Sequence, residues 1–410
     1  KKIILIDTYI HNDTLKFQKY LERNYNHLLS NQTLVDEKSI FFVPTINCVF
    51  NKKTLNNIQK NSNENLIYKH DFLSLDIYIK IFKLMISSYI KACDLTFRGI
   101  NVDCLIKDNI RNKKFDLSLF EALISFHFFK QLKKQNIDIN GVIDWNENQP
   151  IDKGFVKGCK TFFSNIHIKG YQGFIVSYSY NMQLCPTALE IENNLIPDEL
   201  VVTGFDLVNT VKRFSKNINV TVGPAFRFSK QYSKTNFIKL SDKILVILPF
   251  GIYHSLNLIK TIDEICETKK IAFKNFYLKP HPTDNFKILK SKLANADKYN
   301  FVFDKFNNII SEFSITIGNT SSALMESLLY SVPVIVIPNQ KGITQNPIPF
   351  GVSSKLWNLC FSKQDVVDSI LYFLKNRDLI KDDFNNFNKE VSKKYFYPVT
   401  EKNANIFLKF

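Results

Sequence analysis

Short runs of β-branched and aromatic residues alternate with longer stretches of helical period along almost the whole chain. The apolar runs are Ile3–Ile6, Ile40–Val43, Gly141–Trp145, Phe174–Tyr178, Leu200–Thr203, Ile244–Leu248, Phe276–Leu278, Ser314–Ile317 and Val334–Ile337. Bounded by turn residues, such runs read as buried strands. Between them Leu73–Cys93, Ser118–Leu132 and Ser255–Cys266 repeat their apolar residues at the period of an amphipathic helix. Strand and helix in this alternation predict parallel sheets with crossover helices, an α/β class whose ligands gather at the carboxyl ends of the strands. The polar, basic stretch RFSKQYSKTNFIKLSD (227–242) breaks the alternation just before the apolar KILVILPF and reads as a linker. The expectation is two Rossmann-like domains facing each other across a cleft, residues 1–235 and 236–385, with a segment 386–410 that packs back on the first.

Composition narrows the class. The chain has 410 residues, 45% hydrophobic and 14% aromatic, with only 12 Gly and 13 Pro, which excludes disordered and collagen-like chains. Seven Cys form an odd number without a C-x-x-C pair, so neither a disulfide framework nor a zinc knuckle is expected, and a reducing cytoplasm fits. No apolar stretch, Val332–Pro338 included, approaches the length of a spanning helix, and KKIILID opens as a strand rather than a signal peptide. The net charge of +16 suits an anionic partner. Only six of the 54 basic residues are Arg, however, and the bias to Lys, Asn, Ile and Phe is that of an AT-rich genome, so nucleic acid is not the expected partner. The helix 71–93 carries Phe72, Leu75, Ile79, Phe82 and Ile86 on one side and Lys80, Lys83 and Lys91 elsewhere. It fits the surface of an anionic membrane, or core packing with a solvated Lys face, which is the preferred reading.

Three segments carry candidate chemistry. In FYLKPHPTDN (276–285) a strand ends in Lys279, Pro280, His281 and Pro282. Two prolines restrict the backbone around the imidazole, which with Lys279 can donate to a phosphate; the plainer reading is a turn His satisfied by backbone. In ITIGNTSSALMESLLYSVPVIVIP (315–338) the order is strand, polar turn, helix, strand. Gly318 permits a tight turn, and Asn319, Thr320, Ser321 and Ser322 put hydroxyls and backbone N–H groups where a phosphate would sit. Glu326 follows Ser322 by one helical turn and can reach a ribose. Ordinary N-capping with a solvated Glu is the plainer alternative. In GVIDWNENQPIDKGFVKGCK (141–160) a strand tip carries Asp144 and Glu147, with Pro150 at a first helical position. Acids at a strand tip suit a base or a nucleophile, and Glu147 is preferred to Asp144; polar turn residues capping the helix are the alternative. GYQG (170–173) precedes FIVSYSY and sets Tyr171 and Gln172 either at the cleft or in a strand-entry turn.

LKPHP followed by GNTSSALMESLLYSVPVIVIP, within residues 240–340, resembles the donor half of bacterial GT-B glycosyltransferases of surface polysaccharide biosynthesis. It is especially similar to those using CMP-activated acidic sugars of the Kdo, sialic and nonulosonic acid type. The resemblance implies a GT-B fold, with the HP motif and the Ser/Thr turn binding CMP and a catalytic acid, here Glu147, on the N-terminal domain across the cleft. It implies a CMP-sugar co-substrate and a glycan or lipid-linked glycan acceptor, with contact at the inner face of the cytoplasmic membrane as one way to reach it. Arg227 is the candidate clamp for a donor carboxylate, against its plainer reading as a linker charge. No D-x-D pair, P-loop or Gly-rich dinucleotide fingerprint is seen, so neither metal nor cofactor is expected. CDP-glycerol glycerophosphotransferases share the HP and Ser-Ser pattern and are the first alternative. A non-catalytic protein binding glycan or a membrane surface is the second.

Overall fold

The apolar runs assemble into two parallel six-stranded sheets. The computed structural model describes residues 2–10, 12–20, 22–26, 28, 36, 39–46, 51–87, 94–113, 115–175, 184–213, 216–231, 241–282, 284–339, 346–349 and 351–410. In chain order the first half holds β1 (Ile3–Ile10), β2 (Ile40–Ile46), a small antiparallel pair β3 (Thr96–Phe97) and β4 (Ile100–Asn101), then β5 (Ile139–Trp145), β6 (Ile168–Gln172), β7 (Glu199–Val202) and β8 (Val220–Val222). The first large sheet is ordered β2-β1-β5-β6-β7-β8. The second half holds β9 (Ile244–Ile247), β10 (Phe276–Lys279), β11 (Asn300–Phe301), β12 (Ile315–Gly318), β13 (Val334–Val336) and β14 (Trp357–Leu359), ordered β11-β10-β9-β12-β13-β14. Each sheet reverses its strand order once, between β1 and β5 and between β9 and β12. Such reversals open a crevice at the carboxyl ends of the strands, the usual ligand position in doubly wound sheets.

All residues of β9, β12 and β13 are buried, which is why they read as unbroken apolar runs. The expected strand Phe174–Tyr178 is described only at its first two residues. Residues 176–180 lie outside the described residues, Phe174 and Ile175 are not in a strand, and the strand is IKGYQ, which takes in Gly170, Tyr171 and Gln172 of the GYQG segment. Tyr171 therefore sits in the core, its hydroxyl donating to the Pro224 carbonyl at 2.7 Å, and not in a turn.

Along β1 the alternation of a strand sends Leu5 to one face and Ile4, Ile6 and Ile10 to the other. The Leu5 face is covered by helices Leu117–Lys134 and Pro150–Phe162 through Phe128, Phe129, Phe155 and Val156. These helices meet backbone to backbone. A Cβ on Gly154 would overlap the Ala122 carbonyl, and one on Gly158 would lie 2.8 Å from Phe126 Cα. Gly154→Val should destabilise the fold by about 1–3 kcal/mol, the usual effect of overpacking, as measured by denaturant unfolding.

The chain passes between the two sheets twice. After β8 it leaves the first sheet through the 3₁₀ turn Phe226–Gln231, and after helix Lys381–Lys394 it returns. The two passages touch: Ala225 N donates to Tyr397 O at 2.9 Å, and the rings of Phe228 and Phe396 lie 4.7 Å apart. Helix Glu401–Phe407 then lies on the first sheet, where Lys169 Nζ donates to the carbonyls of Phe407 (2.8 Å) and Lys409 (2.7 Å). No helix among the described residues is long and apolar enough to cross a membrane.

Candidate active site

At the reversal of the first sheet, two strands carry acids where aliphatic residues are the norm. Asp7 continues the row of Leu5 and Asp144 the row of Val142, one step beyond the paired residues Ile6 and Ile143, so both point under the covering helices. They are 1% and 0% exposed. A third acid comes from helix Pro150–Phe162, whose opening is a capping box: Asp152 Oδ2 accepts from the backbone N–H groups of Glu147 (2.8 Å) and Gln149 (2.9 Å). Asn146 Nδ2 donates to Asp144 Oδ2 at 2.8 Å. Both oxygens of Asp7, and Oδ1 of Asp144, Asp152 and Asn146, are buried without a well-formed hydrogen bond. A cation of this region is Lys69, itself buried, which donates to Thr45 Oγ1 (2.7 Å) and Ser125 Oγ (3.1 Å) and lies 3.8 Å from Glu121.

Burial sets the charge of this group. It raises Asp7 well above the usual carboxylate range, against Lys69 and nearby backbone N–H groups, and raises Asp144 likewise with the help of Asp152 and Asp7. Asp152 is pushed up to about 7 by burial, opposed by its two backbone donors. Together these acids retain protons where isolated carboxyls would have none. Tyr9, two residues past Asp7 on the same strand face, is raised by burial and by the surrounding carboxylates and remains a phenol. Glu147 is the acid of this set that is not buried. Its Oε1 accepts from Trp145 Nε1 at 2.9 Å and its Oε2 from Gln149 Nε2 at 2.8 Å.

At the reversal of the second sheet, β10, β9 and β12 end side by side. After β9, Gly251 adopts φ 93°, a conformation that favours glycine, and its N–H reaches Asp284 Oδ1 at 3.2 Å. Asp284 N in turn donates to the His281 carbonyl at 3.1 Å, tying the β9 loop to the HP loop. The half-buried His281 ring stands edge-on to Phe250, 5.5 Å between centroids. Burial lowers its pKa, against Asp284, so the ring is mostly neutral near pH 7. Beyond β12, Thr320 Oγ1 donates to Asn319 Oδ1 (3.2 Å), Ser321 Oγ accepts from Ala323 N (3.3 Å), and Ser322 begins helix Ala323–Leu329 without capping it. Glu326 N donates to the Ser322 carbonyl, which puts both residues on one half-buried helix face. Gly318 matters for close packing rather than turn conformation: a Cβ there would lie 3.2 Å from the Ile247 carbonyl and 3.1 Å from Leu324.

His281, Gly318 and Asn319 to Ser322 thus border one rim, with Glu326 just behind. Pro282 is exposed on the same loop. Lys279 points the other way: its Nζ donates to the Asp304 carbonyl, beyond the edge strand β11, and burial lowers its pKa. Arg227 lies on the 3₁₀ turn after β8, exposed, with its guanidinium 5.9 Å from the Phe228 ring centre. Asp144 and Glu147 sit together at the tip of β5. Asp7, Asp152, Lys69, Asn146, Gly251 and Asp284 are not singled out by the sequence motifs. A lone acid inside IILIDTYI and an acid at the third position after Gln149 are signals in principle, whereas nothing local marks Lys69.

No family model matches the sequence, and no curated protein matches it. Solved structures do. A protein assigned as a UDP-N-acetylglucosamine 2-epimerase from Listeria monocytogenes aligns with a TM-score of 0.52 at 10% identity, covering 100% of this chain and 95% of that one. The glycotransferase of kitacinnamycin aligns at 0.52 and 9% identity over 99% and 98%. Os79 from O. sativa, solved with UDP and deoxynivalenol-3-glucoside, aligns at 0.50 and 9% identity over 98% and 99%. The fold is GT-B. It agrees with the two-sheet α/β architecture expected from the sequence. Identities this low carry the architecture alone, and an epimerase stands beside transferases among these neighbours, so the reaction has to be argued from the site.

Proposed function

We propose that the protein is a glycosyltransferase that binds a sugar nucleotide at the second domain's rim and a glycan or lipid-linked glycan acceptor on the first, and transfers the sugar without a divalent metal. The observation that carries this reading is the carboxylate group at the β1–β5 reversal, with Glu147 at its accessible edge. Glu147 takes the acceptor hydroxyl proton as that oxygen bonds to the anomeric carbon and the bond to the leaving phosphate breaks. His281, the backbone N–H groups and the hydroxyls of Asn319 to Ser322 receive the charge that develops on the phosphate. On the LKPHP and GNTSS motifs we assign the donor as a CMP-activated 2-keto-3-deoxy sugar acid. Arg227 would contact its carboxylate from the first domain. A UDP-sugar is the second reading, favoured because Os79 was solved with UDP.

A thermal-shift panel with CMP, CDP, UDP and GDP tests both, since ligand at 100 times its Kd stabilises by about 2.7 kcal/mol. The largest shift is expected with CMP; a larger one with UDP selects the second reading, and none with any nucleotide rejects the transferase. His281→Ala should weaken nucleotide binding by about 1.5–3 kcal/mol, the loss expected for a hydrogen bond to a charged group. Unchanged affinity in that variant would remove His281 from the site.

A further inference from the structure

Between β2 and β5 the chain makes an excursion that buries nothing of itself. No residue from 94 to 112 is buried, although the segment forms the β3–β4 hairpin and helix Asp103–Lys113. Leu95, Phe97, Ile100 and Leu105 are 41%, 65%, 68% and 72% exposed. A hairpin of two-residue strands and a helix this short are each marginal in water without a surface to pack on. What holds them is local: Asp103 accepts from Asp94 N (3.0 Å) and Leu95 N (2.8 Å), and Val102 N donates to the Leu95 carbonyl at 2.8 Å.

A second element of the same stretch also exposes an apolar face. Helix Leu75–Ser87 buries Ile77, Ile81 and Met85, while Leu75, Ile79, Phe82, Leu84 and Ile86 remain exposed. The face expected from the sequence to bury is therefore largely the outer one, because the core takes the neighbouring row; residues 88–93 of the expected helix lie outside the described residues. Phe82 meets Phe115, 6.2 Å between ring centres, which joins this helix to the end of the excursion. Each of the two elements leaves more apolar side chain in solvent than the scattered exposed aliphatics of an ordinary surface.

Their charge indicates what covers them. Arg98 and Gly99 have φ 51° and 80°, forming a two-residue turn with both positions left-handed, and present the sequence Phe97-Arg98-Gly99-Ile100 at the tip. The Arg98 guanidinium lies 5.5 Å from the Phe97 ring centre. Lys80 and Lys83 lie on helix Leu75–Ser87, and Lys107 and Arg111 on helix Asp103–Lys113. The acids of the same two segments are Asp76, which pairs with Lys80 and accepts from Ser74; Asp94; Asp103, held by the hairpin backbone; and Asp108, held by Asn112. The attraction to an anionic surface therefore comes from Arg98 at the tip and from the net charge of +16 of the whole chain. A second copy of the chain is the poorer occupant, because two molecules of net charge +16 repel.

We propose that the hairpin tip Phe97–Ile100 and the outer face of helix Leu75–Ser87 dock on an anionic lipid bilayer, with the apolar side chains entering the headgroup layer and the cations pairing with lipid phosphates. This goes beyond the transferase reading and does not depend on it. The test is co-sedimentation of the full chain with vesicles of phosphatidylcholine alone or of phosphatidylcholine and phosphatidylglycerol in equal parts, at low and high salt. Binding should be about tenfold or more tighter to the anionic vesicles and should weaken with salt. The Phe97→Ser, Ile100→Ser double variant should lose about tenfold or more in affinity, since both side chains would leave an apolar environment. The Ile79→Ser, Lys83→Glu pair, on a helix held by Ile77, Ile81 and Met85, should do the same with an unchanged thermal melt. Binding that is absent, equal for the two vesicle types, or unaffected in both variants overturns the proposal. So does a dimer in sedimentation equilibrium that the variants abolish, which would make a second copy the occupant.

Discussion

Replacing Glu147 with Gln is expected to slow transfer by about 100- to 10,000-fold, the usual effect of losing acid-base catalysis, with donor affinity nearly unchanged. The amide retains the size of the side chain, and its oxygen can still accept from Trp145 Nε1, so the tip of β5 should keep its shape. What it loses is basicity and nucleophilicity. The two roles separate by intact-mass measurement with donor and no acceptor: a nucleophile accumulates a sugar adduct, whereas a base does not. Near-normal turnover in Glu147→Gln would reject both roles and transfer the assignment to Asp144.

The second large effect is on stability. Asp152 has its folded pKa raised from 3.8 to about 7, and Asp7 and Asp144 are raised as well. Between the ordinary carboxylate range and neutrality the folded chain therefore binds more protons than the unfolded chain. The contribution of these acids is present in full at low pH and lost as pH rises through the folded pKa. Asp7→Asn removes one buried acid that lacks good partners. Relative to the parent it should gain stability progressively as pH rises above the ordinary carboxylate range, reaching about 1–3 kcal/mol at pH 8, the scale of an unsatisfied buried group, with little difference only below that range. Denaturant unfolding of both proteins from that range up to pH 8 measures the difference, and parallel pH curves would show that Asp7 does not hold the proton.

The parts of the fold that were legible in sequence are those where local pattern and burial agree. β9, β12 and β13 are central, apolar on both faces and bounded by turn residues. β6 was not legible, because Lys169 and Gly170 interrupt its apolar run and the Lys169 ammonium is satisfied by carbonyls at the far end of the chain. The site divides the same way. His281 and the turn after Gly318 are contiguous motifs, and the β-strand order places their loops on one rim. Asp7 and Asp144 become neighbours only through the pairing of β1 with β5, across the whole excursion between β2 and β5, and no period in the sequence encodes that pairing. Lys279 shows the reverse case: its place beside the HP motif is evident in the sequence, whereas the partner of its side chain, the Asp304 carbonyl, is not.

The two adjoining passages between the sheets have a mechanical consequence. A single connecting strand would let the domains swing and twist in any direction. Here Ala225 and Tyr397 are hydrogen-bonded and Phe228 packs on Phe396, so neither connection can rotate without carrying the other. The pair works as a two-leaf hinge: bending about the line across both connections deforms little, whereas torsion shears the hydrogen bond and the ring contact.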